Sequence, residues 1–241
     1  MTVSTICFSA LFKVVDVSLN ATVVYGSNEQ ILDKTEAVLT NYNGKNLVFI
    51  NEDTLKSEIE STSPYVKVDK IEKIFPNKIK VSVVERKEFY SVAVDGYYYI
   101  LDDEFYCVSK KQEDVSNVPN ARNVTLNVNV ADYSVSALQV GKKFELNDAT
   151  TQSLLSTLTT KLVGKSNEIS FVTVKVKENA YYNRQITLGM LEGVNFVLDK
   201  ADVNLAEKFD FAYNYYLLMP NKTYDVLTIS VSAETGEYIV S

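Results

Sequence analysis

The sequence contains no histidine and no tryptophan. Without histidine there is no Ser-His-Asp or Cys-His mechanism, no neutral-pH imidazole base and no His-containing zinc site. Cysteine is nearly absent too. Cys7 and Cys107 are the two thiols, too few for a Cys-only structural zinc site, and they read as unpaired. Nowhere do 18–20 apolar residues run together, so no complete transmembrane helix is written in the chain. Basic charge is in deficit. Lys and Arg number 24 against 31 Asp and Glu, a net charge of −7, which disfavours general nucleic-acid binding. The basic stretch Lys67–Lys87 reads as the solvent face of amphipathic strands.

What is present is a globular composition, 46% hydrophobic over 241 residues, long enough for one large domain or two small ones. The start is apolar and uncharged from Val3 to Phe12. As a helix it covers about 15 Å, roughly half a bilayer core. It is either a buried first strand or the tail of a membrane span. Val15 to Leu19 alternates as a half-buried strand. Ser27-Asn28-Glu29-Gln30 has the form of a capping box, followed by Ile31, Thr35, Val38, Leu39 and Tyr42 at helical spacing. Asn43-Gly44 ends that helix, Asn51 caps a second one carrying Leu55 and Ile59, and Pro64 stops it. Extended residues from Val66 to about Phe75, a turn at Pro76-Asn77-Lys78 and an alternating strand at Ile79, Val81 and Val83 follow.

Beyond Glu88 the chain is richer in strands. Tyr90 to Ile100 reads as a hairpin closed at Asp95-Gly96, and Phe105 to Val108 as a short strand. Val115 to Asn123 reads as a loop, and Val124, Leu126, Val128 and Val130 as a strand. Asp148 caps a helix to about Leu162. Strands are expected at Ile169–Val176, Gln185–Met190 and Val194–Leu198, a helix at Asp199–Leu218, and strands at Thr223–Ser232 and Glu237–Val240. No catalytic set stands out. Glu52/Asp53 and Asp102/Asp103/Glu104 are adjacent acids, better explained by a helix start and a solvated loop. The 16 tyrosines suit half-buried strands and interfaces equally.

The densest pattern is Pro64-Tyr65-Val66, Ile71, Phe75-Pro76-x-x-Ile79-x-Val81-x-Val83-x-Glu85-Arg86. It resembles the POTRA domain of the bacterial division family FtsQ/DivIB. Phe12-Lys13-Val14-x-x-Val17-x-Leu19 is similar to that family's first strand, and Gly44-Lys45-Asn46-Leu47 before Asn51 to its link into the second helix. Leu188-Gly189, then Lys208-Phe209 on a helix before a final strand, resembles the end of its β domain. Two departures stand out. Lys87-Glu88 replaces a frequent proline, and Asp102-Asp103-Glu104-Phe105 lacks the glycine of the family's Asp-x-x-Gly. Glu85 and Arg86 read as structural, since strand neighbours point to opposite faces.

The resemblance implies an α+β chain. Residues 1–11 are an apolar leader left from a membrane helix, 12–86 a β-α-α-β-β POTRA domain, and 87–241 a mostly antiparallel sheet flanked by helices. It further implies a non-enzymatic divisome scaffold on the extracytoplasmic side of the cell membrane, with a single span. The expected partners are FtsB/DivIC-like and FtsL-like coiled-coil proteins, with no cofactor, metal or nucleic acid. Docking by strand addition is expected at the C-terminal edge, on Tyr224, Val226, Thr228, Ile229, Ser230 and Val231, running on to Gly236 and Tyr238. The competing class is an extracytoplasmic enzyme or solute-binding protein with a pocket in the second domain.

Overall fold

The computed structural model describes residues 11–22, 29–112, 123–127, 138–176, 184–222, 225–232 and 235–241. The chain divides into two compact units, Met1–Lys87 and Glu88–Ser241. The capping box at Ser27, most of the apolar leader, Val115–Arg122, Val128, Val130 and Tyr224 lie outside the described residues.

In the first unit β1 (Asp16–Thr22) is followed by α1 (Glu29–Thr40), a 3-10 turn (Leu47–Phe49), α2 (Glu52–Glu60), β2 (Val66–Ile74) and β3 (Lys78–Glu85). The sheet order is β1-β3-β2, with β1 parallel and β2 antiparallel to β3. This is the β-α-α-β-β order expected of the sequence. Helical spacing places Leu39, Tyr42, Leu55 and Ile59 on the inner faces of the helices, against Val66, Val68, Ile79, Val81 and Val83 of the sheet. Each such burial contributes roughly 1.5–3 kcal/mol. Caps fix the boundaries. Asn51 Oδ1 accepts from Thr54 N–H at 3.0 Å, and Gly44 supplies a left-handed φ of +79° just past α1, where a side chain would be strained.

The basic stretch departs from its sequence reading at one residue. Its lysines are half-buried or exposed, but Arg86 is buried. Its Nη2 lies 3.7 Å from Glu60 Oε1, which also accepts from Val68 N–H at 3.0 Å. Glu60, at the end of α2, thus joins β2 through Val68 and the residue after β3 through Arg86.

The second unit carries a nine-stranded sheet in the order β12-β11-β10-β9-β8-β7-β4-β5-β6. Its strands are β4 (Tyr90–Val94), β5 (Tyr97–Leu101), β6 (Cys107–Gln112), β7 (Val124–Asn127), β8 (Ile169–Val176), β9 (Arg184–Met190), β10 (Val194–Leu198), β11 (Asp225–Val231) and β12 (Tyr238–Val240). Five pairings are antiparallel and three parallel. The helices are α3 (Ala149–Leu162) and α4 (Leu205–Leu218). Both pack on one face. Tyr90 of β4 is bonded to Thr159 of α3 at 2.8 Å, and Phe196 of β10 meets Tyr216 of α4 edge-on with centroids 6.4 Å apart. Thr159 spends its hydroxyl proton on Leu155 O, so Tyr90 is the donor, and burial raises the Tyr90 pKa. Registers place Thr125, Thr173, Thr187, Asn195 and Thr228 on the opposite face, all half-buried. The same face also carries Phe171, Val197 and Ile100, so it is mixed in character.

The missing glycine of the Asp-x-x-Gly pattern has a structural answer. Phe105 takes the left-handed position itself, at φ +65°. Asp102 Oδ1 holds the turn by accepting from Glu104 N–H and Tyr106 N–H at 2.9 and 2.7 Å. The Phe105 ring stacks on Tyr90 with centroids 5.4 Å apart, so core burial offsets a backbone cost of about 1–2 kcal/mol. Asp102 is therefore a turn residue, 1% exposed. Gly189 is required for another reason. A Cβ there would fall inside the ring of Phe171 on the neighbouring strand. Gly189→Ala is expected to expel that ring and cost about 1–3 kcal/mol, read as a lower midpoint of chemical unfolding.

Candidate partner-binding edge of the large sheet

The edge is built by a crossover. β10 leads through α4 into β11, which lies parallel to β10. A turn at residues 199–204 starts α4. Asn204, at its N-cap position, is left-handed and makes no side-chain cap. Lys208 does a different task from inside the helix, satisfying carbonyls of the turn that precedes it. Its Nζ donates to the carbonyls of Asp199, Lys200 and Val203, each at 2.8 Å. The side chain is 2% exposed, and desolvation lowers its pKa. Arg184 braces the same turn. Its guanidinium joins Asp202 to Asp148, the N-cap of α3, and donates to Thr151 Oγ1 at 2.9 Å. At its far end α4 is held by Tyr216, which donates to Glu192 at 3.1 Å. Burial, and then Glu192, push the Tyr216 pKa up to about 12.

β11 carries most of the expected docking residues, yet it is not the outermost strand. β12 folds back antiparallel and covers Ile229–Val231. Thr228 and Ser241 exchange both backbone bonds, at 2.8 and 3.1 Å, and Ser232 N–H donates to Glu237 O at 2.8 Å. Ladder alternation therefore points the main-chain groups of Thr228 and Ser230 at β12. Ile229 is fully buried under α4, Val231 is partly exposed on that same face, and Gly236 sits in the β11–β12 turn at φ +73°. The ladder reaches only part of β11. Val226 lies beyond β12, 60% exposed, and its N–H donates to Asp225 Oδ1 at 2.8 Å.

The terminal strand is β12. Because Ile239 pairs inward with Ser230, alternation turns the N–H and C=O of Tyr238 and Val240 outward. The Tyr238 ring packs on Phe211 of α4 with centroids 5.5 Å apart, fixing the strand on its helix side. On the open face Ile239 is 44% exposed. Val240, missed by the sequence reading, belongs to this edge. Its signal was the alternation of a strand whose pairing partner the sequence does not reveal.

Residues 13–86 match the family model of the FtsQ-type POTRA domain. The chain is similar to the cell division protein DivIB of Clostridium tetani, 28% identical over 213 residues, covering 85% of this chain and 74% of that protein. Residues 13–86 thus form an FtsQ-type POTRA domain, and the chain as a whole is similar to DivIB proteins. A second relative is the cell division protein DivIB of Clostridium botulinum, 23% identical over 146 residues, covering 58% of this chain and 53% of that protein. These likenesses support a role in cell division. The acids singled out earlier have local structural places. Glu52 and Asp53 open α2, and Asp102 is occupied in its turn. No group of acids or thiols placed to hold a metal occurs among the described residues. No helix among them is long and apolar enough to cross a membrane.

Proposed function

We propose that the chain is a non-enzymatic scaffold of the bacterial divisome, held at the cell membrane with both units on the extracytoplasmic side. It takes up FtsB/DivIC-like and FtsL-like partners by strand addition at β12. The observation that carries this is the terminal position of β12, with the backbone groups of Tyr238 and Val240 turned outward. Such an edge is a template for an incoming strand. Exposed Val226 and Ile239 offer apolar contacts to alternate side chains of that strand on the open face. The kinship with DivIB proteins supplies the class of partner.

The test uses the alternation. Val240→Pro removes an outward N–H and leaves the β11 ladder its donors, so the fold is retained, as proline is tolerated on edges. Binding of the extracytoplasmic segment of the DivIC-like protein from the same organism is expected to weaken at least about tenfold, the equivalent of roughly 1.4 kcal/mol. A folded Val240→Pro protein that binds as the parent does would remove β12 as the docking edge.

A further inference from the structure

The exposed large apolar side chains of the first unit are not scattered. Among its described residues they are Leu11, Val15, Val48, Phe49, Ile74 and Phe75, and all lie at one end. Backbone bonds hold that end together. Leu47 N–H donates to Phe12 O at 2.8 Å, and Val15 N–H to Asn77 O at 3.0 Å. Lys73 Nζ donates to Ile50 O at 2.6 Å, joining β2 to the 3-10 turn, and Phe12 meets Phe75 edge-on with centroids 5.9 Å apart. Phe49, on the 3-10 turn, is 84% exposed, and Phe75, on the β2–β3 turn, is 60% exposed. Single exposed apolar residues need no explanation, but a cluster of them does.

We propose that this end of the POTRA unit rests on a lipid bilayer, its two turns inserting Phe49 and Phe75 among the acyl chains just below the headgroups. The proposal rests on the membrane-held reading above. Three observations choose lipid over a protein. The uncharged leader Val3–Phe12 runs directly into this end. The apolar residues stand on the tips of turns, which suits shallow insertion; a partner helix would need a groove. Lysines flank them. Lys13 and Lys45 are exposed, Lys73 and Lys78 border the hairpin turn, and the acids facing them are Glu52 and Asp16. With exposed Asp53 beside Glu52, four cations stand against three carboxylates, a balance that still favours anionic headgroups, and lysine stems reach the interface easily.

The absence of native tryptophan makes the test local. The whole chain carrying Phe49→Trp is mixed with vesicles of phosphatidylglycerol and phosphatidylethanolamine. The expected result is a blue-shifted emission quenched by bromine-labelled acyl chains. Leu218→Trp, in the second unit and 83% exposed, is expected to show neither. Adding Phe75→Asp to the Phe49→Trp chain should cut the quenching at least about tenfold. If the chain floats with vesicles while the Phe49→Trp emission stays that of a water-exposed indole, this contact is wrong and the membrane-held reading stands. If the chain does not float, this contact is wrong, while the membrane-held reading, which rests on the likeness to DivIB proteins, stands. A blue shift without vesicles that grows with protein concentration would mean self-association and overturn the proposal. An equal shift at Leu218→Trp would mean adsorption without orientation and overturn it as well.

Discussion

Replacing Lys208 by methionine should destabilise the second unit by about 3 kcal/mol or more and abolish partner capture at β12. The stem volume is kept, so packing around Phe209 and Ala212 changes little. What goes is the ammonium that satisfies the carbonyls of Asp199, Lys200 and Val203. Hydrogen bonds from a charged donor are worth about 1.5–3 kcal/mol each, and buried acceptors left without one carry a desolvation penalty of about 1–3 kcal/mol. Against this stands the cost of keeping a lysine almost fully buried, which is why the net effect is well below the sum. Arg184 also braces this turn through Asp202, but no other side chain supplies these three carbonyls among the bonds described. Once the turn loosens, α4 loses its start, and β11 and β12 lose the crossover that places them beside β10. Urea unfolding followed by tyrosine fluorescence checks the first part, and pull-down of the partner segment the second. A Lys208→Met protein with parental stability would show that the three carbonyls find other donors.

The same residue marks what the sequence could and could not tell. In the first unit period and punctuation agree with the fold across its described helices and strands. The stripe Thr35, Leu39 and Tyr42, the Asn51 cap and the Ile79-Val81-Val83 alternation are local signals, so local reading recovers them. In the second unit the elements were legible, but their partners were not. Lys208-Phe209 was noticed as a matching pair, while its work on a turn up to nine positions earlier is tertiary and has no periodic trace. The helix expected from Asp199 begins at Leu205, because residues 199–204 are held as a turn by that buried ammonium. The strand that ends the sheet is β12, outside the run that the sequence made most legible, for a similar reason. Thr228 and Ser230 lie on a clear alternating run, but whether they face a partner or β12 depends on a hairpin closing over them. The pattern specifies which residues share a face, and the pairing decides which edge is open. Phe105 shows the opposite failure. A glycine is the usual tenant of a left-handed position, and only the Tyr90 stack explains an aromatic residue there.

Removing Arg184 is the second large expected effect, and it carries a pH signature. Arg184→Met should cost about 2–4 kcal/mol at neutral pH, because it leaves Asp202, whose side chain is 11% exposed, without its cation, and a partly buried charge that loses its partner is expensive. The α3 cap should loosen with it. Burial by itself would raise the Asp148 pKa. The bonds from Thr151, Arg184 and Thr150 outweigh it and bring the carboxyl down to about 2 from its ordinary 3.8. A carboxylate with a depressed pKa in the folded state contributes stability above its unfolded pKa and loses it as pH falls toward the folded value. The window is thus between about pH 4 and pH 2. The shift alone is equivalent to about 2 kcal/mol, but the Asp148 side chain is 38% exposed, and solvent screening reduces this to about 1 kcal/mol. Thr151 and Thr150 keep their share of that shift in the variant, so parent and Arg184→Met proteins should differ most at neutral pH, and the gap between their unfolding free energies should narrow by less than about 1 kcal/mol through that acid window. Parallel curves from pH 7 to pH 2 would mean that the guanidinium works by packing and not by charge.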